Sequence, residues 1–195
     1  MKMNLGIDID GCLNDFQKAL AVVLKRDYNI EVAKEEYEML RDINLDNMEQ
    51  CRAFWEKYNP ELFNLLNCEC GASDVLKSFY ELGINLNIAT AREYHVAPLT
   101  EKWLNEHNIF YDNIFFNAGD KVDLCKWQNI PLMIEDKPYN AMALANNGIK
   151  VLLFSRPYNL TIKHENITRV NNWDQVYDKV VKSYPNLIFN IFNTK

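Results

Sequence analysis

Short apolar runs, each about the length of a buried strand, recur along this chain with helical patterns between them, and this alternation limits the fold more than any other feature. Leu5-Gly6-Ile7-Asp8-Ile9, Asn85-Leu86-Asn87-Ile88-Ala89, Leu132-Met133-Ile134 and Lys150-Val151-Leu152-Leu153-Phe154 are such runs, and Asn113-Ile114-Phe115-Phe116 reads as a further strand. Helices are expected over Ala72–Leu82, Ala97–His107, Asp120–Trp127 and Asn140–Asn146, with Gly83 and Gly148 placed to end helices that lead into strands. Strands that alternate with helices pair in parallel, and a parallel sheet must be covered on both faces. The expectation is an α/β fold with a parallel sheet sandwiched by helices.

One stretch breaks the alternation. From about Gln17 to Cys70 the chain is polar and helical in pattern, with Leu20, Val23, Leu24, Phe54 and Tyr58 at helical spacing. It follows the first strand directly and is too long for a simple crossover. We read residues 1–15 and 71–195 as the α/β core and 16–70 as a small helical cap above the carboxyl edge of the sheet, where open parallel sheets bind ligands. Its aromatics (Phe16, Tyr28, Tyr37, Phe54, Trp55, Tyr58, Phe63) suit either the core of a small bundle or a wall against a flat ligand. Adjacent helical positions cannot both face one core, which makes Trp55 a candidate contact beside Phe16. Arg41, Lys25 and Arg26 read as solvated charges.

A net charge of −6 offers no basic field for a nucleic-acid polymer or an anionic membrane. No secretory leader fits the amino terminus, and no apolar run is long enough to cross a bilayer. The five scattered cysteines read as free thiols in a reducing compartment, so a cytoplasmic protein is expected. The apolar segment Leu187–Phe192 is expected to dock on the core or to form a homo-oligomer contact.

Chemistry is concentrated where the strands end. Asp8-Ile9-Asp10-Gly11 puts two carboxylates two residues apart at the close of a buried run, and side chains so spaced share a strand face. Carboxylates that close repel unless a cation lies between them, and magnesium, which prefers oxygen, is the natural choice. Ile88-Ala89-Thr90-Ala91-Arg92 ends a strand in a hydroxyl, a turn and a guanidinium, the parts of a phosphate cradle. Met133-Ile134-Glu135-Asp136 ends another in paired acids. Asp136 is placed to reach the same metal, with Glu135 beside it in a supporting or solvent-facing position. Either Lys121 or Lys126 would supply an ammonium to the phosphate, and Lys121, at the helix end nearer the strand's carboxyl edge, is the better placed. Each segment also suits a plainer role, as an acidic strand end, a helix cap or a solvated lysine.

Taken in order, Asp-x-Asp-Gly, strand-Thr, Lys and strand-acid-Asp resemble the four motifs of the haloacid dehalogenase superfamily of phosphohydrolases, from Met3 to about Phe154. The likeness is nearest to the 5′(3′)-deoxyribonucleotidases and related bacterial nucleotidases, through the helical insert, Phe16 and Gly71-Ala72. The resemblance implies a Rossmann-like core and a magnesium-dependent phosphomonoester hydrolase. In it Asp8 is the nucleophile that carries an aspartyl-phosphate, and Asp10 the general acid and base. Asp8, the Asp10 backbone carbonyl and Asp136 would hold Mg2+, Thr90 and Lys121 the phosphoryl oxygens, and Phe16 would face a nucleobase. Two departures stand out: Ala91-Arg92 replaces a small hydroxyl residue and proline, and Glu135-Asp136 replaces paired aspartates. Arg92 would bind the phosphate or reshape the pocket. Other small phosphate esters such as sugar phosphates, and a catalytically silent phosphate- or metal-binding protein, are the competing readings.

Overall fold

The computed structural model describes residues 2–32, 45 and 47–184. Along them run β1 (Asn4–Ile7), α1 (Phe16–Tyr28), α2 (Met48–Leu65), α3 (Ala72–Glu81), β2 (Asn85–Ala89), α4 (Ala97–Glu106), β3 (Asn113–Phe115), α5 (Lys121–Trp127), β4 (Leu132–Glu135), α6 (Pro138–Asn146), β5 (Lys150–Phe154), β6 (Ile167–Val170) and α7 (Trp173–Ser183). The strands form one parallel sheet in the order β3-β2-β1-β4-β5-β6.

The period of two along each strand builds the layers. Leu132, Ile134, Leu152 and Phe154 join a cluster with Leu76, Phe79, Trp173 and Val176 from α3 and α7. Met133, Val151 and Leu153, one residue out of step, join Cys125, Ala141 and Leu144 from α5 and α6 on the other face. Each fully buried Leu, Ile or Phe contributes about 1.5–3 kcal/mol, so near-continuous apolar runs are what a doubly covered strand requires.

The sheet extends past the five expected strands. Ile167–Val170 forms β6 at the edge, in a stretch the sequence presents as merely polar. An edge strand buries little, and here Val170 is the one fully buried residue, so no apolar run announces it. Helix starts are set by local chemistry. Asp120 caps α5 by accepting from the Val122 N–H at 2.9 Å, so that Lys121 is the first helical residue. Pro138, with φ already fixed, starts α6 ahead of the expected Asn140.

Within 16–70, α1 and α2 pack on each other and continue the core cluster of one sheet face through Leu20, Leu24, Phe54, Tyr58 and Leu62. Asp15 and Asn47 cap them, accepting from the N–H groups of Lys18 and Gln50. Asn14 and Cys68, on either side of this segment, form an antiparallel bridge, and Glu69 N–H donates to the Leu13 carbonyl at 2.8 Å. Tyr37, Arg41 and the Leu187–Phe192 tail lie outside the described residues, and so do the readings attached to them. Among the described residues no helix is long and apolar enough to cross a membrane.

Candidate active site

Because the sheet is parallel, β1, β2 and β4 end along one edge. Strand order reverses between β1 and β4, where a crevice forms in sheets of this kind. The β1/β4 register pairs Ile7 with Ile134, and Asp8 N–H donates to the Ile134 carbonyl at 3.0 Å. Asp8 is thereby set beside Glu135 and Asp136, and all three are buried. Gly11 makes room for the third. Its φ of 84° is left-handed, and a Cβ there would lie 1.9 Å from Asp136 Oδ2. The carboxylate fills the space a side chain would need.

Lys121, the first residue of α5, reaches the same point. Its Nζ lies 2.8 Å from Asp8 Oδ1 and 2.6 Å from Glu135 Oε1, whereas Lys126 is spent at the surface on Asn147 Oδ1 at 2.7 Å. Glu135 does not face solvent. Its Oε1 also accepts from Asn140 Nδ2 at 2.7 Å, and its Oε2 from the N–H groups of Asp136 and Lys137 at 2.7 and 2.8 Å. With those oxygens engaged, Glu135 fixes Lys121 and the turn after β4. Asp136 differs: Oδ2 accepts from the Tyr158 hydroxyl, while Oδ1 is buried with no partner among the described residues.

Burial sets the protonation of this cluster. Asp8 is pushed up to about 6 by loss of water, a rise that Lys121 opposes and Glu135 adds to. Asp136 is raised well above its ordinary value by burial, then by Glu135 and Asp8. Burial works against the charge of Glu135 too, but Lys121 and four hydrogen bonds hold it below the usual range. Lys121 pays for desolvation, yet Asp8 and Glu135 leave it more firmly protonated than a free lysine. Asp8, Glu135 and Asp136 offer oxygens within 4.8 Å of one another beside the Lys121 ammonium, and Asp136 Oδ1 has no partner among the described residues. Hard, crowded oxygen donors with surplus negative charge fit a divalent cation held by Asp8 and Asp136.

The protonation of Asp8 has a testable consequence. Between the unfolded Asp value of 3.8 and about 6 the native state binds more protons than the unfolded chain, so this group's contribution to stability falls as pH rises through that window. A cation that binds the deprotonated pair offsets the loss. The rise in Tm on adding magnesium is therefore expected to be larger at about pH 8 than at about pH 5. Equal shifts at both would rule out metal–proton competition here.

The remaining candidates sit on the β2 side. Thr90 is buried just past β2, its N–H donating to the Phe115 carbonyl at 3.0 Å and its Oγ1 accepting from the Arg92 N–H at 3.2 Å. Ala91 stands exposed at the tip of that turn. Asp10 does not join Asp8. The strand ends at Ile7, so its alternation does not govern Asp10, whose backbone bridges to Asn14 in the loop that follows. Asp10 is met instead by Arg92, Nε to Oδ2 at 3.0 Å and Nη2 to Oδ1 at 2.6 Å. A cavity of about 240 Å3 opens beside this pair, lined by Phe16, Trp55, Asn59, Phe63 and Val96 among others. The Phe16 and Trp55 ring centroids are 6.1 Å apart, while Phe54, the neighbour of Trp55, is buried.

Sequence reasoning missed Tyr158 and Arg156 as partners of the site. Arg156 donates from Nε and Nη2 to the Gly11 carbonyl at 3.1 and 2.7 Å, and from Nη2 to Glu69 Oε1 at 2.5 Å. The available signal was position: Ser155–Asn159 leaves the end of β5, the strand beside β4.

Comparison with known proteins places this fold among others. Among solved structures, a HAD-superfamily hydrolase (subfamily IA, variant 1) from Geobacter sulfurreducens shares the fold at 14% identity and TM-score 0.60, covering 92% of this chain and 96% of that one. A predicted phosphatase from Clostridium acetobutylicum shares it at 16% identity and TM-score 0.71, covering 93% and 99%. By sequence, YqfW of Bacillus subtilis is 35% identical over 182 residues, 88% of this chain and 90% of that protein. A nucleotidase of Clostridium acetobutylicum is 33% identical over 181 residues, 90% and 92% of the two chains. The family model described as 5′ nucleotidase, deoxy (Pyrimidine), cytosolic type C protein matches residues 2–184, and the chain belongs to that nucleotidase family.

Proposed function

We propose that this protein hydrolyses phosphomonoesters of nucleosides, with magnesium as cofactor and through an aspartyl-phosphate on Asp8. The observation that carries the reading is the meeting, at the ends of two adjacent strands, of a buried Asp8, the Asp136 carboxylate and the Lys121 ammonium. When bound between Asp8 and Asp136, the cation would neutralise charge on the transferring phosphoryl group. Thr90, the Ala91 turn and Lys121 hold its oxygens. An Asp8 oxygen attacks phosphorus as the ester P–O bond breaks, and protonated Asp10 gives its proton to the departing alcohol. Asp10 then takes a proton from water, whose oxygen attacks the same phosphorus. The P–O bond to Asp8 breaks, releasing orthophosphate and restoring both carboxyl groups.

Specificity for nucleosides is read from the cavity next to Asp10, where Phe16 and Trp55 present aromatic faces on which a base stacks. The test is phosphate release, with magnesium and with chelator, from 5′- and 3′-(deoxy)nucleoside monophosphates, sugar phosphates and a base-free ester. Nucleotides are expected to lead. Phe16→Ala is expected to cut kcat/KM for nucleotides about tenfold, the scale of one lost aromatic stack, and to leave the base-free ester nearly unchanged. Equal losses on both would reduce Phe16 to packing, and a lead for sugar phosphates would replace the nucleotide reading.

A further inference from the structure

An arginine that follows a phosphate-binding turn is placed to bind phosphate, yet here both arms of its fork are spent on a carboxylate. The Arg92 side chain is only 7% exposed, and it engages both oxygens of Asp10, whose own side chain is 23% exposed and borders the cavity. Three further contacts hold the residue. Nη1 donates to Thr100 Oγ1 at 3.2 Å, and that hydroxyl, fully buried in α4, donates onward to the Val96 carbonyl at 3.0 Å. The Arg92 backbone N–H is tied to Thr90 Oγ1. Below, the guanidinium carbon lies 4.5 Å from the centroid of the Phe63 ring in α2. Asp10, by contrast, sits in a loop outside β1 with no strand to aim it. A planar fork on both carboxylate oxygens fixes a carboxylate in direction as well as in place.

We propose that Arg92 is a positioning residue: it holds Asp10 beside the cavity, keeping one of its two contacts when the other oxygen carries the proton for the leaving group, and its stack on Phe63 makes that placement depend on α2 being seated. This rests on the acid role given to Asp10 above. Loss of Arg92 is then felt where a proton must reach the departing group. A nucleoside leaves as an alkoxide that needs that proton, whereas p-nitrophenolate leaves without one. Comparing the two esters through kcat/KM confines the readout to steps up to departure of the leaving group, so the later attack of water, common to both, does not enter.

The experiment measures kcat/KM on a deoxynucleoside monophosphate and on p-nitrophenyl phosphate, with inorganic phosphate as competitive inhibitor, for wild type, Arg92→Ala, Arg92→Lys, Asp10→Asn and the Ala/Asn double variant. Arg92→Ala is expected to lose about 100-fold on the nucleotide, the scale of a misaimed catalytic group, and only a few-fold on the aryl ester. Phosphate inhibition should be unchanged. Asp10→Asn should show the same discrimination at equal or greater depth, and the double variant should be no worse than Asp10→Asn alone. Arg92→Lys keeps the charge without the fork and should retain the defect, and added guanidinium ion should restore Arg92→Ala on the nucleotide alone. Equal losses on both esters with weakened phosphate inhibition would make Arg92 a phosphate ligand and overturn the proposal. Discrimination in Asp10→Asn without any in either Arg92 variant would also overturn it while sparing the acid role. No discrimination in Asp10→Asn would remove the acid role itself.

Discussion

Asp8→Asn protein is expected to fold normally and to lose magnesium-dependent phosphate release by roughly 10,000-fold or more, the depth reached when a nucleophile is deleted from a concerted site. The amide fills the same volume and still offers an oxygen to Lys121 Nζ, which lies 2.8 Å from Asp8 Oδ1. What it lacks is an anionic oxygen able to attack phosphorus and then leave it. Removing a buried carboxylate that desolvation already disfavours should leave the thermal midpoint of the metal-free protein equal or higher. Loss of turnover with intact folding would thus isolate chemistry from stability. In wild-type protein quenched during turnover, borohydride should reduce the acyl phosphate and leave homoserine at position 8. Turnover within tenfold of wild type, or homoserine absent, would dismiss Asp8 as the nucleophile.

Lys121→Met should be the most destabilising single change in the site. The ammonium lies between two buried carboxylates, 2.8 Å from Asp8 and 2.6 Å from Glu135, with its side chain 2% exposed. Removing one partner of a buried ionic cluster strands the others, at a cost of about 3–5 kcal/mol. Glu135 should suffer most, because its lowered pKa depends on Lys121 once burial has been overcome. Urea unfolding without metal is the check, and a loss below about 1 kcal/mol would show that the carboxylates simply take up protons. Magnesium should recover part of the stability without recovering activity, since a cation between Asp8 and Asp136 does not replace a donor to the phosphoryl oxygens.

These outcomes turn on features of uneven visibility in the sequence. The acids at the ends of β1 and β4 were legible because strands buried on both faces must be apolar, so a carboxylate directly after one stands out. Lys121 was legible from direction alone, since a crossover helix starts near the edge where the preceding strand ends. The family motifs then ordered these pieces. The partner of Arg92 was not legible: carboxylate and phosphate present the same forked geometry to a guanidinium, and the choice of Asp10 depends on a loop 82 residues earlier in the chain. Nor was the burial of Glu135, whose four donors come from α5, from the turn after β4 and from Asn140 in α6. Tyr158 and β6 share a cause, both belonging to the side of the sheet beyond β4, where short, mixed-polarity segments carry no periodic mark.

The pairing of Asn14 with Cys68, reinforced by the Arg156 clasp between the Gly11 carbonyl and Glu69, has an evolutionary reading. Where a polypeptide departs and re-enters at one welded point, the excursion can be lengthened, trimmed or exchanged at a cost that grows only with the logarithm of its length. The hydrolytic machinery behind the weld need not shift. New ligand preferences can then be acquired by grafting a different excursion onto an unaltered sheet, and a chimera carrying a foreign 15–67 segment is the natural object in which to look for them.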